Sequence, residues 1–184
     1  LSPGGEWSPL VESTFRTGTP PTLMISEIMY NPPAFTPAGF TTPVDGDEFE
    51  FLELKNTGAA PVNLYNVRLT GGIDFTFPPG VTVPAGGFVV LARNAARFAL
   101  KYPGVTVAGQ YGPGSSLSNG GELLTLVDAA GDTIMSFAYD DDPPWPTLAD
   151  GGGRSLVPTQ PSSNPAPNLA SSWRASTNAD GSPG

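Results

Sequence analysis

Residues 122–139 read ELLTLVDAAGDTIMSFAY. Two runs rich in Leu, Thr, Val, Ile and Phe, 122–128 and 132–139, are joined through Ala129-Ala130-Gly131. β-Branched and aromatic residues suit a pleated, half-buried surface, and a glycine closing a short connection supplies the positive φ that a tight return needs. The stretch predicts a β-hairpin with Gly131 in its turn. The same punctuation recurs upstream. Residues 23–30 (LMISEIMY) stop at Asn31-Pro32-Pro33, and residues 48–55 (EFEFLELK) end in Asn56-Thr57-Gly58. Shorter runs at 62–65, 67–70, 74–77, 81–83 and 88–92 are each bounded by Gly, Pro or Asn. Turn signals about every ten residues are the pattern of an all-β sandwich or barrel.

One segment departs from this period. Asn94 is placed to cap a helix, and Ala95, Phe98, Ala99 and Tyr102 fall on one face at 3–4 spacing. Lys101 suits the negative C-terminal end of the helix, and Pro103-Gly104 stops it. Two turns are marginal alone, so Phe98 and Tyr102 must pack on the sheets. After Asp140 the chain is Pro-rich, and Leu156, Val157, Leu169 and Trp173 are expected to pin it to the body as short edge strands. Residues 1–21 read as the terminal strand of an upstream β-module, with Trp7, Leu10 and Phe15, followed by a stiff Pro-rich linker. The body is then 22–184. The chain opens on Leu rather than Met, which reads as a piece of a longer protein.

Composition removes several function classes. The 184 residues include 23 Gly and 22 Pro, but 39% are hydrophobic, enough to build a core. There is no His and no Cys, so imidazole bases, Ser-His-Asp and Cys-His mechanisms, thiolate metal sites and disulfides are excluded within this chain. A net charge of −9 argues against binding a nucleic-acid backbone, which requires clustered Lys and Arg. No apolar run approaches the roughly 20 residues of a membrane span. The acidic, Cys-free, Gly/Thr/Pro-rich make-up suits a module exported by a bacterium.

Longer motifs add up in order along the body. They are Ile25-Ser26-Glu27-Ile28-Met29-Tyr30-Asn31-Pro32, Glu50-Phe51-Leu52-Glu53-Leu54-Lys55-Asn56, Val62-Asn63-Leu64 and Phe77-Pro78. Asn119-Gly120-Gly121-Glu122-Leu123, Pro144-Trp145-Pro146, Gly153-Arg154-Ser155-Leu156 and Trp173-Arg174-Ala175-Ser176 follow. Across 22–184 the chain resembles the bacterial lamin tail domain family. The leading segment is similar to the end of a fibronectin type III-like or chitobiase C-terminal-like module. The resemblance implies an immunoglobulin-like β-sandwich with one short helix, serving as a non-catalytic structural or interaction module of a larger secreted or surface protein. Its partner would be a protein or a surface polysaccharide, the module is expected to be monomeric, and its location extracellular or at the cell surface. The nuclear roles of eukaryotic relatives do not carry over, because the filament rod and a basic DNA-binding surface are missing.

Carboxylates are the remaining candidates for metal or acid–base chemistry. Asp45, Asp47 and Glu48 form one acidic loop, continuing towards Glu50 and Glu53, and Asp140-Asp141-Asp142 forms another. Hard oxygens at short spacing in loops are what Ca²⁺ takes, and two such loops at one end of a sandwich could share an ion. The competing reading is solvated loops that aid solubility. Ca²⁺ is the one cofactor these residues leave open. Glu27 and Glu53 sit in largely apolar strands, and alternation sets Glu27 on the face of Ile25 and Met29, and Glu53 with Phe49 and Phe51. Burial obliges each to find donors, with Arg154 and the amides of the 150–153 turn as the candidates, giving a structural network. Trp145, between two prolines, with Tyr139 and Tyr111, is a candidate sugar-stacking set. The competing reading is packing at the sandwich end. A carbohydrate- or surface-binding module, with or without Ca²⁺, is thus the alternative to a protein-interaction module.

Overall fold

The computed structural model describes residues 22–164 and 166–184. The expected upstream strand and linker, residues 1–21, lie outside the described residues. Within them, twelve short strands and one α-helix form an immunoglobulin-like β-sandwich. The strands are β1 (Leu23–Met29), β2 (Phe51–Asn56), β3 (Val62–Asn63), β4 (Arg68–Gly71), β5 (Phe75–Thr76), β6 (Thr82–Val83), β7 (Phe88–Ala92) and β8 (Val107–Gln110). They continue with β9 (Glu122–Val127), β10 (Thr133–Tyr139), β11 (Leu156–Pro158) and β12 (Trp173–Ala175), and α1 is Ala95–Lys101. One sheet has the order β12-β11-β1-β2-β7-β8, the second β10-β9-β4-β5, and β3 with β6 forms a small ladder.

The β9–β10 hairpin forms as its sequence predicts, with Gly131 at φ 96° and Asp128 Oδ1 accepting from the amides of Ala130 and Asp132. In α1, the Asn94 side chain accepts from the Arg97 amide at 3.1 Å, and the Asn94 amide group donates to Glu48 at 2.6 Å. Lys101 stands in the last turn, where it pairs with Asp180 at 2.7 Å.

Three elements differ from the expectation. Residues 46–49 form a 3₁₀ turn capped by Asp45, so β2 begins only at Phe51. β8 carries no strong strand signal of its own; the α1 crossover returns the chain parallel to β7, whose exposed edge supplies the partner. β11 is an interior strand, pairing with β1 on one side and β12 on the other, while Leu169 is largely exposed in a short turn before β12.

The six-stranded sheet is buried on both faces. Ile25, Ile28, Tyr30, Leu52, Leu54 and Leu91 pack with Leu69, Leu124, Leu126 and Phe137 of the second sheet as the main core. On the other face Met29, Phe51, Val90, Ala92 and Phe98 form a smaller cluster under α1. Each fully buried Leu or Phe contributes about 1.5–3 kcal/mol. The β1 register shifts between Ile25 and Glu27. This irregularity separates two residues that simple alternation puts together: Ile25 joins the main core, and Glu27 stays on the side of Met29.

Candidate functional site

Glu27 and Glu53 are direct partners across the β1–β2 ladder. Both are buried, on the face where the chain's last residues return. Glu27 Oε1 accepts from Ser155 Oγ at 2.5 Å and from the Ser182 amide at 2.8 Å, and Oε2 accepts from Ser182 Oγ at 3.2 Å. Glu53 Oε1 accepts from Ser26 Oγ at 2.6 Å, and Oε2 from the Gly184 amide at 2.7 Å. Burial raises both acids, and these hydrogen bonds counter it. Glu53 is pushed up to about 6, with the neighbouring Glu27 charge adding to the rise. Arg174 opposes the rise of Glu27 from a distance. Together with Lys55, Phe88 and Arg174, the pair lines a cleft of about 180 Å³.

Arg154 takes a different place from the one its motif suggests. Its guanidinium donates to the carbonyl of Ser176 at 2.7 Å and to that of Thr177. The reason is alternation: Ser155 is fully buried towards Glu27, so its neighbour Arg154 points away. The tail is held further by Tyr102 Oη donating to the Asp180 carbonyl at 2.8 Å. Gly181, at φ 78°, passes so close that an added Cβ would lie 2.4 Å from Glu27 Oε1. Glu27, Glu53 and the tail therefore form a clasp. A general base or nucleophile needs an oxygen free to face a substrate, and each oxygen here already accepts from the chain's own donors.

Glu50 is a third buried acid that the sequence reading left in the acidic loop. It is fully buried. Its Oε2 accepts from the Leu117 amide at 2.9 Å and from Tyr111 Oη at 3.3 Å, while Oε1 has no hydrogen bond and faces Arg93 at 3.8 Å. Burial pushes it up to about 8, against the Leu117 amide and Arg93. Alternation was the usable signal, since Glu50 shares a face with Leu52 and Leu54.

The remaining candidates are dispersed. Asp45 caps the 3₁₀ turn, Asp47 pairs with Arg93 at 3.4 Å, and Glu48 accepts from Asn94. Asp140, Asp141 and Asp142 bring carboxylate oxygens within 4.8 Å of one another, the one such acidic group among the described residues. The two acidic loops are not gathered into one ligand set. Tyr111 and Tyr139 are buried in the main core, with hydroxyls donating to Glu50 and to the Ser118 carbonyl. Trp145 is half-buried against that core, 6.5 Å from Trp173, which stacks on Phe137.

No helix among the described residues is long and apolar enough to cross a membrane. No curated protein matches the chain. A family model described as Lamin Tail Domain matches residues 16–141; the tail that closes over Glu27 and Glu53 lies beyond the matched span, as do β11 and β12, although these two strands complete the six-stranded sheet. With that match covering more than half of its length, and an all-β sandwich beneath it, the chain belongs to the lamin tail domain family.

Proposed function

We propose that this domain is a non-catalytic interaction module carried by a larger exported bacterial protein. Membership of a family of non-enzymatic, immunoglobulin-like domains supports it. The observation that favours it most is the saturation of the Glu27–Glu53 pair by the chain's own donors. The acids that look most catalytic serve to close the domain. Among the described residues the six-stranded sheet ends in β12 and β8, and a strand edge is a common surface for adding a partner's strand. The partner in this reading is a protein, the module is monomeric, and its place is the cell exterior. A preceding fibronectin type III-like or chitobiase-like module fits the same setting.

A second reading rests on Trp145. Its ring is partly exposed next to the Asp140–Asp142 loop, where aromatic faces and carboxylates can hold a sugar ring. The two readings separate in one experiment. Labelled domain is incubated with bacterial envelope fractions before and after protease digestion. Binding lost on digestion supports a protein partner. Binding that survives digestion and disappears in Trp145→Ala supports the polysaccharide reading. Binding to neither preparation counts against both.

A further inference from the structure

The tail that closes over Glu27 and Glu53 is held almost wholly by polar groups. Arg154 fixes its base at the carbonyls of Ser176 and Thr177. Beyond that point Asp180 pairs with Lys101, whose Nζ lies 5.4 Å from the ring centroid of Phe35, 5.6 Å from that of Phe49 and 5.8 Å from that of Tyr102. Ser182 and Gly184 then donate to the two acids. From Thr177 to Gly184 only Pro183 is buried. A segment with so little buried apolar surface can open without unfolding the sheet beneath it. Asp180 also holds φ 62°, a left-handed conformation that residues with a side chain seldom adopt and that opening relieves. Ser182 and Gly184 form part of the wall of the cleft of about 180 Å³, and Gly181 lies against Glu27 and the Phe51 ring. Release of the tail therefore turns the cleft into a wider groove floored by Glu27, Glu53 and Phe51.

Glu27 and Glu53 stand directly opposite one another, a placement that sets Cβ atoms about 4.5–5.5 Å apart. Two carboxylates this close resist ionising together. The charged groups packed around them do not neutralise the pair. On β2, Lys55 donates to the Pro161 carbonyl at 2.8 Å. On α1, Lys101 is taken by Asp180, Arg97 lies over the Phe40 ring, and Tyr102 Oη donates to the Asp180 carbonyl. On β12, Arg174 donates to the Ala175 carbonyl and acts on Glu27 only from a distance. β7, β8 and β11 bring no charged side chain. Among the described residues none of these cations forms an ion pair with either acid. We propose that the tail is a pH-controlled strap, which closes on a Glu27–Glu53 pair that keeps one proton and opens the groove as the pair loses it. Burial under the tail raises both acids, so closing takes up a proton. The grip is full below the ordinary carboxylate range and weakens as pH climbs through the raised Glu53 value of about 6. A rise from 4.5 to about 6 changes the closed-to-open ratio by about thirtyfold, and since the tail supplies part of that burial, about tenfold is expected. The strap is a property of the domain alone and stands apart from the interaction reading.

The test is hydrogen exchange of the Ser182 and Gly184 amides in the intact chain, read by NMR from about pH 5 to about pH 8 and corrected for the intrinsic pH dependence of exchange. The expected result is protection below that of the β1–β2 ladder amides, falling about tenfold over this range. In the double variant E27Q/E53Q, whose side chains stay neutral, tail protection should not change with pH. Glu50→Gln removes a titrating acid that bonds to Leu117 and Tyr111 rather than to the tail, and should keep the wild-type fall. Titration of the Glu27 and Glu53 carboxyl carbons in the wild type reads the proton without any substitution, and should show one of the pair ionising at about 6 or above. Tail protection equal to that of the ladder would show that the tail opens only with the whole domain, and would overturn the proposal. So would the absence of a fall in the wild type, a fall that persists in E27Q/E53Q or disappears in Glu50→Gln, or two acids that both titrate at the ordinary 4.5.

Discussion

Glu50→Gln should flatten the dependence of stability on alkaline pH. In the folded protein the Glu50 carboxyl sits at about 8, against an ordinary 4.5. A carboxyl raised on folding gives stability that is complete below the unfolded value and is lost as pH climbs through the folded one. The loss therefore runs from about pH 4.5 to about pH 8. Each pH unit of the difference is worth about 1.4 kcal/mol, so the whole effect is about 5 kcal/mol, of which about 4 kcal/mol falls between pH 5 and pH 9. Glutamine copies the neutral acid. Its carbonyl can accept from the Leu117 amide and Tyr111 Oη in place of Oε2. The assay is urea unfolding of both proteins across this pH range, followed by tryptophan fluorescence. Glu27 and Glu53 titrate in both proteins and cancel in the difference. The wild type should lose about 4 kcal/mol relative to Glu50→Gln between pH 5 and pH 9. A difference that stays constant with pH refutes the reasoning. It would mean that Arg93, 3.8 Å away, keeps Glu50 ionised throughout.

The clasp and the helix supply the remaining predictions. Ser155→Ala removes one donor from Glu27 and should raise the Glu27 pKa further, measured by NMR titration of its side-chain carboxyl; an unchanged midpoint would show that the hydroxyl does not hold the charge. Gly181→Ala places a Cβ against Glu27 Oε1 at φ 78° and should cost about 2 kcal/mol in denaturant unfolding, with no loss expected if the tail does not lie on Glu27. Phe98→Ala empties the centre of the small cluster under α1, and calorimetry should show a loss of about 3–5 kcal/mol. Asn94→Ala deletes the cap on Arg97 and its bond to Glu48, and should cost about 1–2 kcal/mol in the same measurement.

The legible parts of the fold are those written locally. The hairpin at Gly131, the strand starts at Leu23 and Phe88, and the helix from Asn94 to Tyr102 each depend on neighbours a few residues away. β8 was not legible, because a four-residue edge strand containing Gly109 acquires its identity from β7. The Ile25–Glu27 irregularity was hidden as well, since a register shift moves residues between faces without changing the apolar pattern that announces the strand. Among the acids, the need of Glu27 and Glu53 for donors was readable, but their donors were not. Ser155 and Ser182 are 128 and 155 residues away from Glu27 along the chain.

By itself, then, the sequence determined the fold class, the short strands with their glycine turns, the capped helix and the exclusion of imidazole and thiolate chemistry. Those follow from composition and from side-chain periods of two and 3.6 residues, which are properties of a short window. The tertiary structure alone decided which carboxylates would be buried, that the tail would satisfy two of them, and that Glu50 would sit against Arg93. Sheet order brings these groups together across separations of up to 155 residues, and desolvation acts only after they meet.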